Sequence, residues 1–226
     1  STGGKPIQVT TEKFNHYAFD WMSGSDGFVF SSNYTEDWEY DFRNSEIYSI
    51  SVNGSNLQQL TDRNGPDMGA AVSPDGKSIA YLGYEDKVQT YQINNLTIMD
   101  IDGSNKRTID IDLDRNIESL KWSADGKNLY FMYDNYGNTK IATTNLTGRV
   151  RKLIDDVGGT SIGRPYGGGS FSVSLEGEIS YTLTSPYHPA DIGYYEGNSF
   201  KRLTNLNNDL LRGKDLGVIE EIWYNS

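Results

Sequence analysis

The residues that could catalyse a hydrolysis are few in this sequence. The segment 167–171, Gly-Gly-Gly-Ser-Phe, superficially resembles the Gly-x-Ser-x-Gly turn that holds a serine nucleophile between a strand and a helix. Phe171 fills the position of the last glycine, however, and no helix-forming stretch follows it. We therefore predict that Ser170 is a turn or strand-start residue, and that the chain has no catalytic residues of its own.

The sequence contains two histidines, His16 and His188. A catalytic triad needs one histidine that is oriented by a carboxylate and touches the nucleophile. His188 stands between Tyr187 and Pro189 in a predicted hairpin loop, and His16 precedes a predicted inner strand at 17–21. A surface or strand-end position is the favoured interpretation for both, with a place in a central channel as the alternative.

Metal and cofactor sites are only weakly indicated. The sequence Asp-Ile-Asp-Gly at 100–103 lacks the sixth-position glycine and twelfth-position glutamate of an EF-hand calcium loop. Asp110, Asp112 and Asp114 alternate along a predicted extended segment, which favours a solvated acidic edge over a cation site. The absence of cysteine excludes disulfides and thiolate ligands. We expect no metal and no cofactor.

Four side chains are the candidates for contact with a substrate or a neighbouring domain: Trp38, Arg164, Tyr166 and His188. Trp38 lies in the segment 33–42, which mixes aromatic and acidic residues, and the alternative there is an exposed extension of a β-hairpin. Arg164 lies beside a glycine-rich turn and is suited to pairing with a carboxylate, with a strand-end salt bridge as the alternative.

Composition limits both the scaffold and its partners. The 226 residues carry a formal net charge of −11, and a protein that binds nucleic acid through phosphates needs a basic face instead. No segment reaches the roughly 18 apolar residues of a membrane-spanning helix. Aromatic residues make up 12% and there are 24 glycines, a combination typical of many short strands joined by tight turns.

One turn sequence recurs along the whole chain. Ser-Pro-Asp-Gly-Lys at 73–77 and Ser-Ala-Asp-Gly-Lys at 123–127 each precede an apolar run, and related turns occur at 23–27 and 174–177. Glycine at such a turn supplies the positive φ angle that a tight hairpin needs. The turn glycines are 49, 50 and 51 residues apart: Gly27, Gly76, Gly126 and Gly177.

A second set of glycines divides each repeat again. These glycines are 49, 45 and 49 residues apart, and a short polar strand follows each one: Gly54, Gly103, Gly148 and Gly197. Each repeat of about 50 residues therefore predicts a four-stranded antiparallel meander, which needs neighbours on its faces. We predict an all-β fold of four four-stranded β-propeller blades.

The repeat register predicts the domain organisation. The predicted blades are 14–62, 67–112, 117–157 and 168–206, residues 1–13 are predicted to close a preceding blade, and 207–226 to be an exit segment. Four blades are at the low end for a closed propeller, so we expect the chain to belong to a larger ring or a larger protein. Dimerisation, or closure by the strand near Ile7 and Val9, would cover the open edges.

The second repeat consists of the turn at 73–77, the sequence Ile-Ala-Tyr at 79–81 and the segment 96–105. It resembles the propeller repeat of TolB and of the prolyl oligopeptidase family of serine peptidases. Three later segments resemble the acylaminoacyl-peptidase and dipeptidyl-peptidase-like branch of that family more specifically. They are a glycine-rich segment that begins a blade at 163–171, an outer-strand hairpin at 185–192, and the strand that leaves the propeller for an α/β-hydrolase domain at 218–226.

The resemblance implies a non-catalytic propeller that gates access to a serine peptidase active site and docks the hydrolase domain. It also implies that the parent protein cleaves short or N-blocked peptides through an acyl-enzyme, with residues outside this sequence. The expected partners are the hydrolase domain of the same polypeptide and short peptides, with a homodimer also considered. The expected compartment is the periplasm or another exported bacterial location, with the cytoplasm as the alternative.

Two other functional classes stay open at this point. A stand-alone TolB-like propeller would act as a protein-binding module. A glycan-active propeller or lectin would need pairs of carboxylates that converge on the channel.

Overall fold

The structure, a computed structural model, describes residues 4–159 and 168–224. Within those residues the chain is almost entirely strand and turn, with one short helix near its end, α1 (Asn208–Leu211). The strands, in chain order, are β1 (His16–Trp21), β2 (Gly27–Ser32), β3 (Glu46–Ser51), β4 (Gln58–Gln59), β5 (Asp67–Val72), β6 (Ser78–Gly83), β7 (Asn95–Asp100), β8 (Arg107–Ile109), β9 (Ile117–Trp122), β10 (Asn128–Asn135), β11 (Asn138–Asn145), β12 (Val150–Val157), β13 (Phe171–Val173), β14 (Ile179–Ser185), β15 (His188–Glu196) and β16 (Ser199–Arg202).

The strands of the described residues form three sheets, none of which closes on itself. Strands β1 to β4 and strands β5 to β8 each make an antiparallel sheet in sequence order. The remaining strands bond in the order β9-β10-β11-β12-β14-β15-β16, and β13 pairs with β14. Strand β12 reaches β14 through the pair Val157 and Leu183. The predicted all-β fold is confirmed.

The chain divides into two compact units. The first consists of the residues up to 131 together with 143–151, and the second of 132–142 together with the residues from 152 onwards. The first unit contains the two four-stranded sheets. The second contains β13 to β16 and the chain that follows them.

Local hydrogen bonds explain why the Ser-x-Asp-Gly sequence recurs. Asp75 Oδ1 accepts a hydrogen bond from Ser73 Oγ at 2.6 Å, and Gly76 has a φ of +70° that completes the turn. Ser123 and Asp125 repeat the contact at 2.6 Å in the next turn. In both turns the serine hydroxyl and then a backbone amide lower the pKa of the aspartate, so the turn favours the ionised carboxylate.

The first repeat departs from the predicted turn. Gly27, expected to supply the positive φ, is instead the first residue of β2, where a Cβ would lie 2.7 Å from the Ile50 carbonyl oxygen. Gly24, with a φ of +88°, makes the turn. The extra residue at 23–27 therefore moves the left-handed position, and Gly27 is needed for close strand packing.

A bulge recurs in the first strand of three repeats. Ala18, Gly69 and Ser119 have φ angles of +55°, +66° and +58°, and they are 51 and 50 residues apart. The strand register shifts across the first two of these positions. Because three different residue types occupy the bulge, the sequence gives no sign of it.

We expect Gly69→Ala to destabilise the protein by about 1 kcal/mol, since a Cβ at positive φ is strained. The nearest atom to that Cβ is Leu82 Cδ1 at 4.0 Å, so there is no clash to add to the strain. Ala18→Gly, the reciprocal change at the equivalent bulge, should stay within about 0.5 kcal/mol because lost strain offsets gained chain entropy. Urea denaturation of both variants checks this, and equal losses would contradict it.

The first unit has hydrophobic side chains on both faces of its first sheet. One cluster joins the first and second sheets: Val29, Ile47, Leu60, Ala70, Ile79, Tyr81 and Met99. The opposite face carries Phe30, Tyr48 and Ile50, against which Val9 and Tyr34 pack. Since apolar burial is the main stabilising contribution, the first sheet is held from both sides.

The second unit packs an aromatic ring across a strand pair. Tyr181 and Gly193 are register partners in β14 and β15, and both Tyr181 and Ile179 are buried. A Cβ on Gly193 would lie 2.4 Å from the Tyr181 ring, so the ring occupies the space above the glycine.

Candidate functional site

A cavity of about 400 Å³ lies at one edge of the first sheet. The end of β2, the start of β3 and the chain after β4 meet at this edge because the strands are antiparallel. The lining is polar and aromatic: Tyr34, Thr35, Asn44, Glu46, Tyr48, Gln59, Asp62, Arg63 and Asn64. A cavity of this volume can hold a small molecule, and its lining is more polar than the largely apolar walls of most such sites.

Glu46 is the buried carboxyl of this cavity. It begins β3, is 6% exposed, and accepts a hydrogen bond at Oε2 from Thr61 Oγ1 at 2.5 Å. The Thr61 oxygen itself accepts the Ile47 amide at 2.8 Å, so the hydroxyl hydrogen is directed to Glu46. Burial, only partly offset by that hydrogen bond, raises the pKa of Glu46 to about 7.

A second buried carboxyl lies behind the first. Asp67 is 1% exposed and forms an ion pair with Arg63, while Ser45 Oγ donates to the Asp67 carbonyl oxygen at 3.1 Å. Burial raises the pKa of Asp67 in spite of the ion pair. Arg63 pairs with Asp67 through Nη2, while its buried Nε has no hydrogen-bond partner, and the carboxyl of Glu46 forms no ion pair among the described residues.

Two tyrosines complete the cavity. Burial, followed by the charge of Glu46, raises the pKa of Tyr48 to about 12, and burial raises the pKa of Tyr34 as well. Both phenols therefore stay protonated at neutral pH. The Tyr34 hydroxyl lies 2.6 Å from His16 Nε2, and His16 is the first residue of β1, at a strand end.

The segment 33–42 is a series of turns. Strand β2 ends at Ser32 and β3 begins at Glu46, and the Tyr40 and Asp41 amides both bond to the Asp37 carbonyl oxygen in between. The interpretation of this segment as a lengthened β-hairpin is therefore wrong.

Trp38 is half-buried and its ring contacts Phe14, with 6.1 Å between centroids. It supports the loop beside the cavity and is not among the residues that line it.

The second unit repeats the threonine–carboxyl arrangement of Glu46 with a different outcome. Asp191 Oδ1 accepts a hydrogen bond from Thr204 Oγ1 at 2.8 Å, and Thr204 accepts the Ile192 amide at 2.8 Å. Here the carboxyl also accepts the Leu206 amide and pairs with Arg202. Burial opposes ionisation, but these partners outweigh it and lower the pKa of Asp191.

His188 belongs to this second arrangement. It is the first residue of β15, and its Nδ1 lies 3.2 Å from an Arg202 nitrogen. Arg202 also donates to the carbonyl oxygen of Thr204 and to the side chain of Asn205. His188 is therefore held at a strand end, and the structure places it and Trp38 in different units.

Arg164 and Tyr166 lie outside the described residues. Ser170 precedes β13, and its amide and carbonyl bond to Thr182 in the neighbouring strand, with 3.0 Å from its amide nitrogen to Thr182 Oγ1. In the described part of the chain, no group of three histidine or carboxylate side chains is placed to hold a metal ion. No helix of that part is long and apolar enough to cross a membrane.

The sheets and their repeated turns place the chain in the class of β-propeller proteins. No family model matches the sequence. Curated relatives include dipeptidyl-peptidase 5 of Porphyromonas gingivalis, 24% identical over 154 residues that cover 66% of this chain and 22% of the relative. Dipeptidyl-peptidase 5 of Arthroderma otae is 27% identical over 198 residues, which cover 79% of this chain and 26% of the relative.

Solved propellers share the fold at low identity. The β-propeller domain of the Trilobed protease of Pyrococcus furiosus, described as having an open velcro topology, matches with a TM-score of 0.59 and 20% identity over 88% of this chain and 54% of that one. TolB of Acinetobacter baumannii matches with a TM-score of 0.61 and 18% identity over 84% and 43%. A puromycin-hydrolysing peptidase of Mycobacterium tuberculosis matches with a TM-score of 0.61 and 15% identity over 84% and 31%.

These comparisons confirm the predicted resemblance to the propeller domains of prolyl oligopeptidase-family peptidases, with TolB-like repeats. The chain spans about a quarter of the length of the curated relatives it matches.

Proposed function

We propose that this chain is the non-catalytic β-propeller portion of a serine exopeptidase or oligopeptidase, in which it limits substrate access and docks the hydrolase domain. The observation that carries the proposal is the path of the last residues over the turns of the second unit. The sequence relatives named dipeptidyl-peptidase 5 supply the reaction class.

The residues after α1 lie across two hairpin turns of the second unit. The Ile219 amide donates to the Tyr187 hydroxyl at 3.3 Å, in the turn between β14 and β15. The Trp223 ring meets the Tyr136 ring edge-on at 5.0 Å, in the turn between β10 and β11.

The same segment leaves large apolar side chains in solvent. Val218, Ile222, Trp223 and Tyr224 are all exposed, Trp223 by 68%. Exposed apolar surface of this kind is typical of an interface. We infer that the hydrolase domain covers it, so that the turn side of the second unit faces that domain.

The proposal includes four blades within 14–62, 67–112, 117–157 and 168–206. It is supported by the two four-stranded sheets of β1 to β4 and β5 to β8, whereas β9 to β16 belong to one further sheet.

Residues 1–13 fit the proposed role of a strand that closes a preceding blade. A Cβ on Gly103 would lie 2.9 Å from the carbonyl oxygen of Leu60, and one on Gly148 would lie 1.8 Å from that of Asp110, so each turn packs on the residue that follows the last strand of the repeat before it. The equivalent turn of the first repeat, at Gly54, packs in the same way on Val9, at 2.5 Å. This contact supports the proposal, although Val9 itself lies outside the strands.

Different contacts are proposed for side chains in different parts of the chain. We propose that His188, beside the turn at Tyr187, lies near the docked domain, and that Trp38 lies near bound peptide through the loop 33–42. Arg164 and Tyr166 stay predictions for contact with a substrate or with the hydrolase domain.

A peptidase assay tests the proposal. The pure chain should not turn over chromogenic dipeptidyl or acylaminoacyl substrates, because it lacks a nucleophile elbow, whereas the same chain joined to the coding sequence downstream of Ser226 should. That downstream sequence should contain Gly-x-Ser-x-Gly within roughly 150–200 residues, followed by Asp and His. Turnover by the pure chain, or a stop codon directly after Ser226, would overturn the proposal.

A stand-alone protein-binding module is the second candidate. The likeness in fold to TolB of Acinetobacter baumannii favours it, and the stop codon would decide for it. For either candidate we propose an exported compartment such as the periplasm, with the cytoplasm as the alternative, and a homodimer as one way of covering open strand edges.

A further inference from the structure

We propose that the cavity at the edge of the first sheet binds a primary ammonium group carried on a short aliphatic stem. The proposal goes beyond the gating and docking role, and it concerns the first unit of the chain alone. It rests on the carboxyl of Glu46, on the balance of charge around that carboxyl, and on the two tyrosines of the lining.

Glu46 has one carboxyl oxygen without a protein partner in the described part of the chain, and Glu46 belongs to the lining of the cavity. Thr61 bonds to Oε2, and Oε1 accepts no hydrogen bond from any residue in the described ranges. A buried carboxylate normally has its oxygens paired, because an unpaired charge in a poorly solvated place costs several kcal/mol. Glu46 lines the cavity, so a donor that enters it can supply the missing partner.

The charges around Glu46 select a cation. Asp62 and Asp67 both act on Glu46 as like charges, and Arg63 is the one opposing charge among the groups that act on it. Arg63 is already paired with Asp67. The cavity is therefore net acidic, which disfavours an anionic ligand and favours a positive one.

The other lining groups suit an ammonium better than a metal ion. Tyr34 and Tyr48 supply aromatic surfaces and neutral hydroxyls, with which an organic cation interacts favourably. Asn44, Gln59 and Asn64 supply amide oxygens that accept N–H donors. In the described residues no group of three histidine or carboxylate side chains is placed to hold a metal ion, and the lining presents only two carboxyl side chains, Glu46 and Asp62.

The size of the cavity sets the size of the ligand. About 400 Å³ is far more than an ammonium group fills, and leaves room for a stem of several carbons. Such a group comes either from the side chain of lysine or a related alkylamine, or from the amino end of a short peptide. Both sources share the chemistry that the cavity recognises.

Calorimetric titration of the whole chain tests the proposal. The probes are n-butylammonium for the alkylamine source and glycinamide for the peptide source, with n-butanol and butyrate as neutral and anionic controls. We expect saturable binding of at least one ammonium probe, with both controls at least tenfold weaker. The stronger of the two ammonium probes identifies the source.

Three variants make the test specific. Glu46→Gln preserves the shape of the side chain and the bond from Thr61, and should weaken ammonium binding at least tenfold. Asp62→Asn, at an exposed position of the lining, should weaken it several-fold. Glu176→Gln removes one negative charge from an exposed turn outside the lining, and should leave the affinity unchanged.

The pH dependence gives a readout that a purely structural role would not produce. Groups that act on Glu46 are Asp62, Arg63 and Asp67, and Tyr48 interacts with it in turn. Because Glu46 titrates near pH 7, n-butylammonium affinity should fall about tenfold from pH 8 to pH 6, while the amine stays protonated throughout. In Glu46→Gln the residual affinity should be nearly flat with pH.

Several results would overturn the proposal. They are the absence of saturable binding by both ammonium probes, butanol or butyrate binding as tightly as n-butylammonium, and Glu46→Gln binding like the unmodified protein. None of these results bears on whether the chain docks a hydrolase domain, which the peptidase assay decides separately.

Discussion

Replacing Glu46 with glutamine should stabilise the protein by up to about 3 kcal/mol at pH 8. Burial raises the pKa of Glu46 from an ordinary value of 4.5 to about 7, and each unit of difference corresponds to roughly 1.4 kcal/mol. Above pH 7 the folded protein therefore holds a carboxylate that water would solvate better. Glutamine accepts the Thr61 hydrogen bond without carrying that charge.

The direction of the pKa change determines the pH range over which the free energy of unfolding depends on Glu46. A carboxyl whose pKa is raised by folding stabilises the protein below its ordinary pKa, and the benefit is lost as pH rises through the folded pKa. The unmodified protein should thus lose stability between about pH 4.5 and pH 7, and Glu46→Gln should lose less. Asp67, whose pKa is also raised, should account for part of the slope that remains in the variant. Urea denaturation at pH 5, 6, 7 and 8 measures the difference.

Asp191 offers a matched control because it has the same threonine contact and the opposite electrostatics. Its pKa is lowered by the Leu206 amide, Thr204 and Arg202, which together outweigh burial. Asp191→Asn should therefore destabilise the protein at neutral pH, and the loss should shrink as pH falls through the folded pKa of Asp191. If both variants shifted stability in the same direction at pH 8, the assignment of the Glu46 effect to desolvation would be wrong.

The sequence was sufficient for the strand repeats because their turns have strict chemical requirements. The hydrogen bond of Ser73 to Asp75 and the left-handed φ of Gly76 need those residue types, so the turn can be recognised from the amino-acid sequence. The bulge at Ala18, Gly69 and Ser119 recurs as regularly, but no sequence pattern marks it. It is imposed by strand packing, which several residue types satisfy at a modest cost.

The cavity could not be predicted either, because it too depends on packing that no local sequence pattern shows. Glu46 lies at the start of a strand that is otherwise buried, and nothing local distinguishes it from an exposed strand end. A usable signal was present in the second half of the first and fourth repeats, where Leu-Thr occurs at 60–61 and at 203–204. In both places the threonine bonds to a buried carboxyl, but only the fold brings the two segments together.

The two threonine–carboxyl arrangements show how one backbone geometry supports different chemistry. Around Asp191 an arginine and a backbone amide fill the remaining positions, and the carboxyl is held ionised. Around Glu46 the corresponding arginine, Arg63, is taken by Asp67. The Asp67–Arg63 ion pair therefore leaves Glu46 without a charged partner in the described part of the chain. As long as the ion pair is intact, Arg63 does not stabilise the ionised form of Glu46 directly.

Substituting alanine for Gly83 should destabilise the protein by at least about 3 kcal/mol, because it would break that ion pair. Gly83 ends β6 opposite Asp67, and a Cβ there would lie 2.1 Å from an Asp67 carboxylate oxygen and 2.4 Å from the Pro66 carbonyl oxygen. The second contact is with backbone, so a side-chain rotation cannot relieve it. The cost combines overpacking, about 1–3 kcal/mol, with the disruption of a buried charge pair, about 3–5 kcal/mol when complete.

Gly217→Ala is the matched control for this substitution. No atom lies within 4 Å of the position that its Cβ would take, so the same chemical change should alter the free energy of unfolding by less than about 0.5 kcal/mol. Urea denaturation at pH 7 compares the two variants. Because the displaced Asp67 would release Arg63 towards Glu46, Gly83→Ala should also lower the pKa of Glu46 and flatten the stability profile between pH 5 and pH 7. Similar unfolding free energies for Gly83→Ala and Gly217→Ala would contradict the role assigned to the ion pair.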